Sequence, residues 1–149
     1  IKNYKKTKRC NKILNDEIKN LNRKSFRAFN NNIIKEAAKF KYNLSILKKK
    51  NKTIIGYGAP ARVSTITNFA NINSNLIDFI IDDSPLKQNR YSPGKHIKIL
   101  PRKNNINNKI ENVVVFAYEY FEEIKKKFKK LNVFFFKPIP FRKIKWVFY

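Results

Sequence analysis

Thr53-Ile54-Ile55 runs directly into Gly56-Tyr57-Gly58-Ala59-Pro60-Ala61, and no other junction narrows the choice of fold as much. A short β-branched run followed by G-x-G-x-x-A and a helix opens a mononucleotide-binding βα unit. Gly56 permits the tight turn, Gly58 lets backbone come close to a phosphate, and Ala61 is small enough for the helix to pack on the strand. Pro60 suits a first helical position, where its missing N–H is no loss. Free amides at the positive end of that helix would point at an anion. Small residues after a strand also occur in plain α/β turns, so the motif alone leaves both readings open.

A second buried strand is expected over Ile77-Asp78-Phe79-Ile80-Ile81, ended by Asp82-Asp83-Ser84-Pro85. Asp82 lies 26 residues beyond Gly56, close to where such folds place a ribose-binding carboxylate. The alternative is that Asp82 and Asp83 merely open a turn, as Asp-Ser-Pro often does.

Periodicity organises the rest. Phe26, Phe29, Ile33, Ala37, Phe40, Leu44 and Leu47 recur at steps of three and four, predicting an amphipathic helix from about Ser25 to Lys49. Its apolar stripe is expected to pack on a sheet or on a neighbouring domain. Before it, residues 1–24 carry a weaker helical spacing and read as a basic arm or a remnant of a preceding domain. A helix over 61–69 follows the glycine turn, and Pro85 to Lys95 forms a loop rich in Pro, Gly, Lys, Arg and Tyr. Ile97 to Leu100 reads as a short strand, 101–109 as a polar connector, and 113–116 as the third main strand. Glu119 to Leu131 is expected to be helical, with Phe121, Ile124, Phe128 and Leu131 on one face and a Lys-rich solvent face, 133–136 to be a fourth buried strand, and 144–149 to add an edge strand. This order predicts an α/β fold, a Rossmann-like three-layer sandwich with a mostly parallel sheet and right-handed crossovers. The domain occupies 25–149, preceded by the basic helical arm.

With 149 residues, 42% of them hydrophobic, the chain can bury a core of its own. It has no apolar run near 18–20 residues, so no membrane span is expected, and its basic, polar N-terminus does not resemble a secretion signal. A single cysteine, Cys10, excludes an internal disulfide and fits a reducing, cytoplasmic setting. Cys10 sits among Lys and Arg but has no His nearby in sequence, which favours a bystander thiol over a nucleophile. The net charge of +24 is spread along the chain, with 17 Lys/Arg against 3 acids through Thr53 and 17 against 7 thereafter. Abundant Lys, Asn, Ile and Phe point to genomic compositional bias. Such diffuse charge attracts anions in general and supports only non-specific contact with nucleic acid, since no zinc finger, RNP motif or recognition helix accompanies it.

The runs GYGAPARVSTITNF, IDFIIDDSPLKQNRYSPGKHIKI, VVVFAYEYFEEI and FFFKPIP resemble the C-terminal domain of S-adenosylmethionine-dependent sugar C-methyltransferases. That family's pattern reads approximately G-Y-G-A-x-A-K-G-N-T-x-L-N, D-x-x-P-x-K-Q-G-x-x-x-P-G-x-H-I-P and A-W-N. The likeness covers roughly Phe26 to Ile144, and Asp82, Pro85, Lys87, Gln88, Pro93, Gly94, His96 and Ile97 fall in register with the middle motif. Arg62, Val63, Ser64, Asn89 and the pair Tyr118-Glu119 depart from it, which puts family substrate contacts at those positions in doubt. The resemblance implies an enzyme of three parts: a cysteine-rich zinc module, a central methyltransferase domain, and a Rossmann-like domain that helps to hold a nucleotide-linked sugar. This chain matches only the last. Cys10 and His96 are its sole cysteine and histidine, so it cannot assemble the usual four-ligand zinc site, and no metal site is expected. The absence of any methionine and the start at Ile1 suggest a piece of a longer protein.

Chemistry is expected at the strand tips. Gly56, Gly58, Ala59 and the first helix amides would hold a phosphate, neutralised by Arg62, Lys87 and Arg90. Thr65 or Asn68 would meet sugar hydroxyls unless they face solvent or core, and Asp82 would take a ribose. Gln88 and Tyr91, with Gly94, are base or sugar contacts or loop scaffold. Tyr118, Glu119 and Tyr120, just beyond a strand, lie where a substrate pocket should be, although Glu119 also suits a helix first turn. His96 is the one histidine available for acid–base work, though a His beside a Gly turn is more often structural. The methyl donor, S-adenosylmethionine, would bind in the central domain, so the chain alone should be inactive. Two other readings compete: a free-standing sugar-nucleotide or phosphate-ligand module without catalysis, and a basic protein binding nucleic acid non-specifically.

Overall fold

The computed structural model describes residues 6–144. It divides into two compact units, one up to Lys35 and one from Glu36 onward.

The first unit contains α1 (Lys8–Asn20) and the beginning of α2 (Arg23–Lys49). Thr7 caps α1, its hydroxyl accepting from the Cys10 amide at 3.2 Å, and no residue of α1 is buried. Asn22 starts α2 with a reciprocal cap. Its side-chain oxygen accepts from the amides of Lys24 and Ser25, while Ser25 Oγ accepts from the Asn22 amide at 3.0 Å. Phe26 and Phe29 are exposed, so the apolar stripe of α2 is buried only from Ala37 onward.

In the second unit, the turn that follows α2 places Asn51 in a left-handed φ of 54°. The Lys52 amide then donates to Leu47 O and the Asn51 amide to Lys48 O. Asparagine is among the few residues that tolerate this turn. The same device closes α3 (Arg62–Phe69) at Asn71, φ 51°.

β1 (Ile54–Tyr57), β2 (Phe79–Ile81), β3 (Ile99–Leu100), β4 (Asn112–Val115), β5 (Phe134–Lys137) and β6 (Arg142–Ile144) form one sheet in the order 3-2-1-4-5-6. The first five run parallel, with Ile55 opposite Phe79 on one side and Val113 on the other. β6 returns antiparallel to β5 and forms the edge. Strands buried on both faces must be apolar on both, which is why β1 and β4 read as continuous hydrophobic runs.

Alternation splits the core into two layers. Ile54, Ile80, Val114 and Phe136 pack with Ala37, Phe40 and Leu44 of α2 and Val63 of α3. Ile55, Ile81, Val113, Val115 and Phe135 pack with Ile124 and Phe128 at α4 (Phe121–Lys126). The result is the α/β/α sandwich expected from the sequence. Polar ties fix α2 on its layer: Lys48 Nζ lies 2.6 Å from both Asp78 oxygens, Asp78 Oδ2 also accepts from the Ile54 amide, and Glu36 accepts from the Phe141 amide at 3.0 Å.

One element differs from expectation. The helix predicted over 119–131 is a 3-10 turn at Tyr118–Tyr120 followed by α4, and residues 127–130 continue as turns. Past Lys126 the amides of Lys127, Phe128 and Lys129 donate to the carbonyls of Ile124, Lys125 and Lys126, three residues back, so the helix tightens into turns. Phe128 is nevertheless fully buried. Of the expected edge strand at 144–149, only residue 144 belongs to β6, and 145–149 lie outside the described residues. No described helix is long and apolar enough to cross a membrane.

Candidate functional site at the strand tips

The order 3-2-1-4 makes the chain leave β1 and β4 in opposite directions, and ligands of such sheets lie at that switch point, beyond the carboxyl ends of the strands. There Tyr57, Gly58 and Pro60 from the β1–α3 turn, Asp82, Asp83 and Lys87 after β2, and Ala117, Tyr120, Glu123, Ile124 and Lys127 after β4 enclose a cleft of about 320 Å³.

The glycine turn serves packing first. A side chain at Gly56 would meet Ile80 Cγ1 at 2.8 Å and the Phe116 ring at 2.9 Å. Gly58 has φ +81°, and the Cβ of Ala117 fills the space a side chain there would need. The close approach that this glycine permits is therefore an approach to Ala117.

Asp82 is buried and spent on backbone. Its Oδ2 accepts from the Ala59 amide at 2.6 Å, its Oδ1 from the Ser84 amide at 2.8 Å, and Lys87 Nζ stands 3.7 Å away. The carboxylate thus occupies a loop amide that a phosphate would otherwise take. Gln88 reinforces the same corner by donating to Asp82 O at 3.0 Å.

Asp83, which the sequence reading treated only as a turn residue, is the charged centre of the cleft. Its Oδ2 accepts from Tyr57 Oη at 2.9 Å and from Lys127 Nζ, and Arg102 Nε lies 3.5 Å from Oδ1. Burial pushes the Asp83 carboxyl up, but the bonds from Lys127 and Tyr57 and the charges of Lys127 and Arg102 outweigh it and hold it below the ordinary range. Burial, then the bond to Asp83 and its charge, push the Tyr57 phenol strongly upward, so it stays a donor through the alkaline range.

A second cluster stands beside the same switch point. Arg62 pairs with Glu119 at 2.5 Å and lies over the Tyr118 ring at 4.6 Å, while Lys137 at the end of β5 lies 4.3 Å from the same ring. The Glu119 bond raises the Arg62 pKa further; a backbone bond, then Arg62, lowers that of Glu119.

The remaining predicted residues are placed elsewhere. After Asp83 the chain turns back, and 89–92 runs antiparallel to β3, with the Ile99 amide donating to Arg90 O and the Ser92 amide to Ile97 O. The turn at 92–97 therefore lies at the amino ends of the strands. Asn68, near the far end of α3, donates to Pro93 O at 3.0 Å and packs against Gly94, whose φ is +84°. His96, exposed with φ 50°, belongs to this turn. Tyr91 is exposed along the β3 edge, and Thr65 is exposed on α3. The structure thus brings together Gly58, Ala59, Arg62, Asp82, Lys87, Tyr118 and Glu119, and sets Asn68, Gly94 and His96 at the opposite end. Tyr120 lines the cleft, as its place just beyond the strand predicted, while Tyr57, Asp83, Glu123 and Lys127 are cleft residues that sequence reasoning missed. One signal was present: strand alternation puts Tyr57 on the same face as Ile55, toward α4.

Sheet order and cleft position define a Rossmann-type α/β domain with a polar site at its switch point. A family model described as the C-methyltransferase C-terminal domain matches residues 1–140, and the chain belongs to that family. No curated protein matches the chain.

The family implies S-adenosylmethionine as methyl donor of the complete enzyme. The residues of this glycine turn do not fit it. The β2 carboxylate that would take ribose hydroxyls is committed to two backbone amides, and Ala117 closes the approach over Gly58.

Proposed function

We propose that this domain binds a nucleotide-linked sugar at the strand-tip cleft and presents it to a separate S-adenosylmethionine-binding domain of a C-methyltransferase. The observation carrying this reading is the mixed lining at the switch point. Lys87 and Lys127 stand with Asp83, Glu123 and two tyrosines, Tyr57 and Tyr120. A sugar ring needs carboxylates and phenols to exchange hydrogen bonds with its hydroxyls, and an attached diphosphate needs cations. The paired charges also keep the site from being a simple anion trap.

In this reading Lys87 and Lys127 hold the phosphate end, Glu123 and Tyr120 orient the sugar, and Asp83 positions Lys127 and Tyr57. Arg62, Tyr118, Glu119 and Lys137 form a rim on the other side. The exposed Phe26 and Phe29 of α2 offer an apolar surface for the methyl-donor domain. Because the glycine turn has no place for the donor, the isolated chain transfers no methyl group.

Calorimetric titration with deoxysugar nucleotides, at low and near-physiological salt, tests the reading. Saturable binding that survives salt and weakens about tenfold, ~1.4 kcal/mol, in both Lys87→Ala and Glu123→Gln is expected. Binding that these substitutions leave unchanged, or methyl transfer by the chain alone, would overturn it.

A further inference from the structure

Beside the cleft runs a second, larger depression of about 530 Å³, between the 101–109 connection and the end of α4. Arg102, Lys126, Lys127, Lys129 and Lys130 line it, and no carboxylate does. Ile106 and Leu131, both anchored in the α4-side core, line it as well, together with the amides of Asn107 and Asn108. Lys127 and Arg102 share Asp83 as partner, whereas Lys126, Lys129 and Lys130 have no ion-pair partner among the described residues. Holding five cations against one another raises their mutual repulsion, and a bound polyanion relieves it.

The groove and the cleft adjoin at Lys127, which lines both, and Asp83 joins Arg102 to it. Their proportions differ in a telling way. Ligand sites span roughly 300–1,000 Å³, so the cleft alone is at the lower limit, large enough for a hexose ring but short for a whole sugar nucleotide. Their chemistry differs too: the cleft mixes carboxylates, phenols and lysines, and the groove is cationic with an apolar and amide lining.

We propose that the basic groove holds the phosphate chain and nucleoside of the ligand, with Lys127 at the junction and the sugar turned into the cleft. This rests on the sugar-nucleotide reading above. Lys129 and Lys130 join Lys87 and Lys127 in neutralising the diphosphate, Ile106 and Leu131 lie under the nucleoside, and Asn107 and Asn108 meet its polar edge. The arrangement leaves the sugar, and not the nucleotide, at the switch point.

The test is calorimetry on the full chain with inorganic pyrophosphate, a nucleoside diphosphate and the corresponding sugar nucleotide, at near-physiological salt. Lys129→Glu/Lys130→Glu reverses two exposed charges without touching the core. It should weaken the nucleoside diphosphate and the sugar nucleotide by tenfold or more. Glu123→Gln should weaken only the sugar nucleotide. If the sugar nucleotide binds the charge-reversed chain as tightly as the native one, the groove assignment falls while the cleft reading stands. If the nucleoside diphosphate binds through the groove but attaching the sugar adds nothing and Glu123→Gln has no effect, the cleft reading fails and the groove remains a nucleotide site. If neither diphosphate binds, while a deoxythymidine oligomer binds in a manner lost on charge reversal, the groove is a nucleic-acid surface and the proposal is overturned.

Discussion

Gly58 combines a positive φ with Ala117 packed against the place a side chain would occupy, so its role is conformational before it is functional. Gly58→Val should lower the unfolding free energy by about 2–4 kcal/mol in urea titration, from backbone strain and overpacking together. Loss of ligand binding in that variant would therefore say little about phosphate contacts, whereas Lys87→Ala leaves the turn intact. Asp83 makes a different residue-scale prediction. Its carboxyl titrates below the ordinary value near 3.8 in the folded chain. A depressed folded value means that its stabilisation is fully present above the unfolded pKa and is lost as pH falls through the folded one. Asp83→Asn should thus destabilise at neutral pH and flatten the acid limb of the stability profile below pH 3.8. The side chain is 46% exposed, so solvent screening keeps the effect to about 1 kcal/mol or less. An acid limb of unchanged steepness in the variant would contradict the assignment.

At the scale of elements, α2 shows how one helix can be read correctly in extent and only partly in packing. Its spacing predicted one stripe from Phe26 to Leu47, and the helix does run from Arg23 to Lys49. Burial depends on what lies opposite, which periodicity cannot state: Phe40 and Leu44 are fully buried while Phe26 is 58% exposed. Phe40 stacks on Phe141 with ring centroids 5.5 Å apart. Phe40→Ala should cost about 3–5 kcal/mol by chemical denaturation, and Phe26→Ala well under 1 kcal/mol. Equal effects would mean that Phe26 is covered in solution. The shortened α4 carries the complementary lesson. Ile124 and Phe128 were legible as one buried face, but the apolar spacing could not say that the backbone between them would tighten to bonds three residues back after Lys126.

Over the whole molecule, the net charge of +24 is less informative than its arrangement. Spread over the surface, it predicts non-specific attraction to any polyanion that fades as salt is raised. Concentrated in a groove without carboxylates and set against the mixed cleft, it acquires a direction, nucleotide outside and sugar inside. Salt dependence separates the two. Groove-dependent binding should persist at near-physiological ionic strength, while the diffuse component is screened over about one Debye length.

The sequence by itself determined the parallel α/β sandwich, because buried parallel strands must be apolar on both faces and the glycine turn tolerates few alternatives. It also marked Asp82, since the tip of the second strand lies at a near-constant distance from that turn. Only the tertiary structure decided how these features are used. Asp82 turns inward to the Ala59 amide, and Asn68 and Gly94 meet at the far end of the sheet because the loop after β2 folds back along β3. Asp83 becomes the centre of the cleft because Tyr57, Arg102 and Lys127, drawn from three separate segments, converge on it. A local pattern sets backbone conformation and which face is apolar; which polar groups share a site depends on chain crossings tens of residues apart, and those exist only once the sheet has formed.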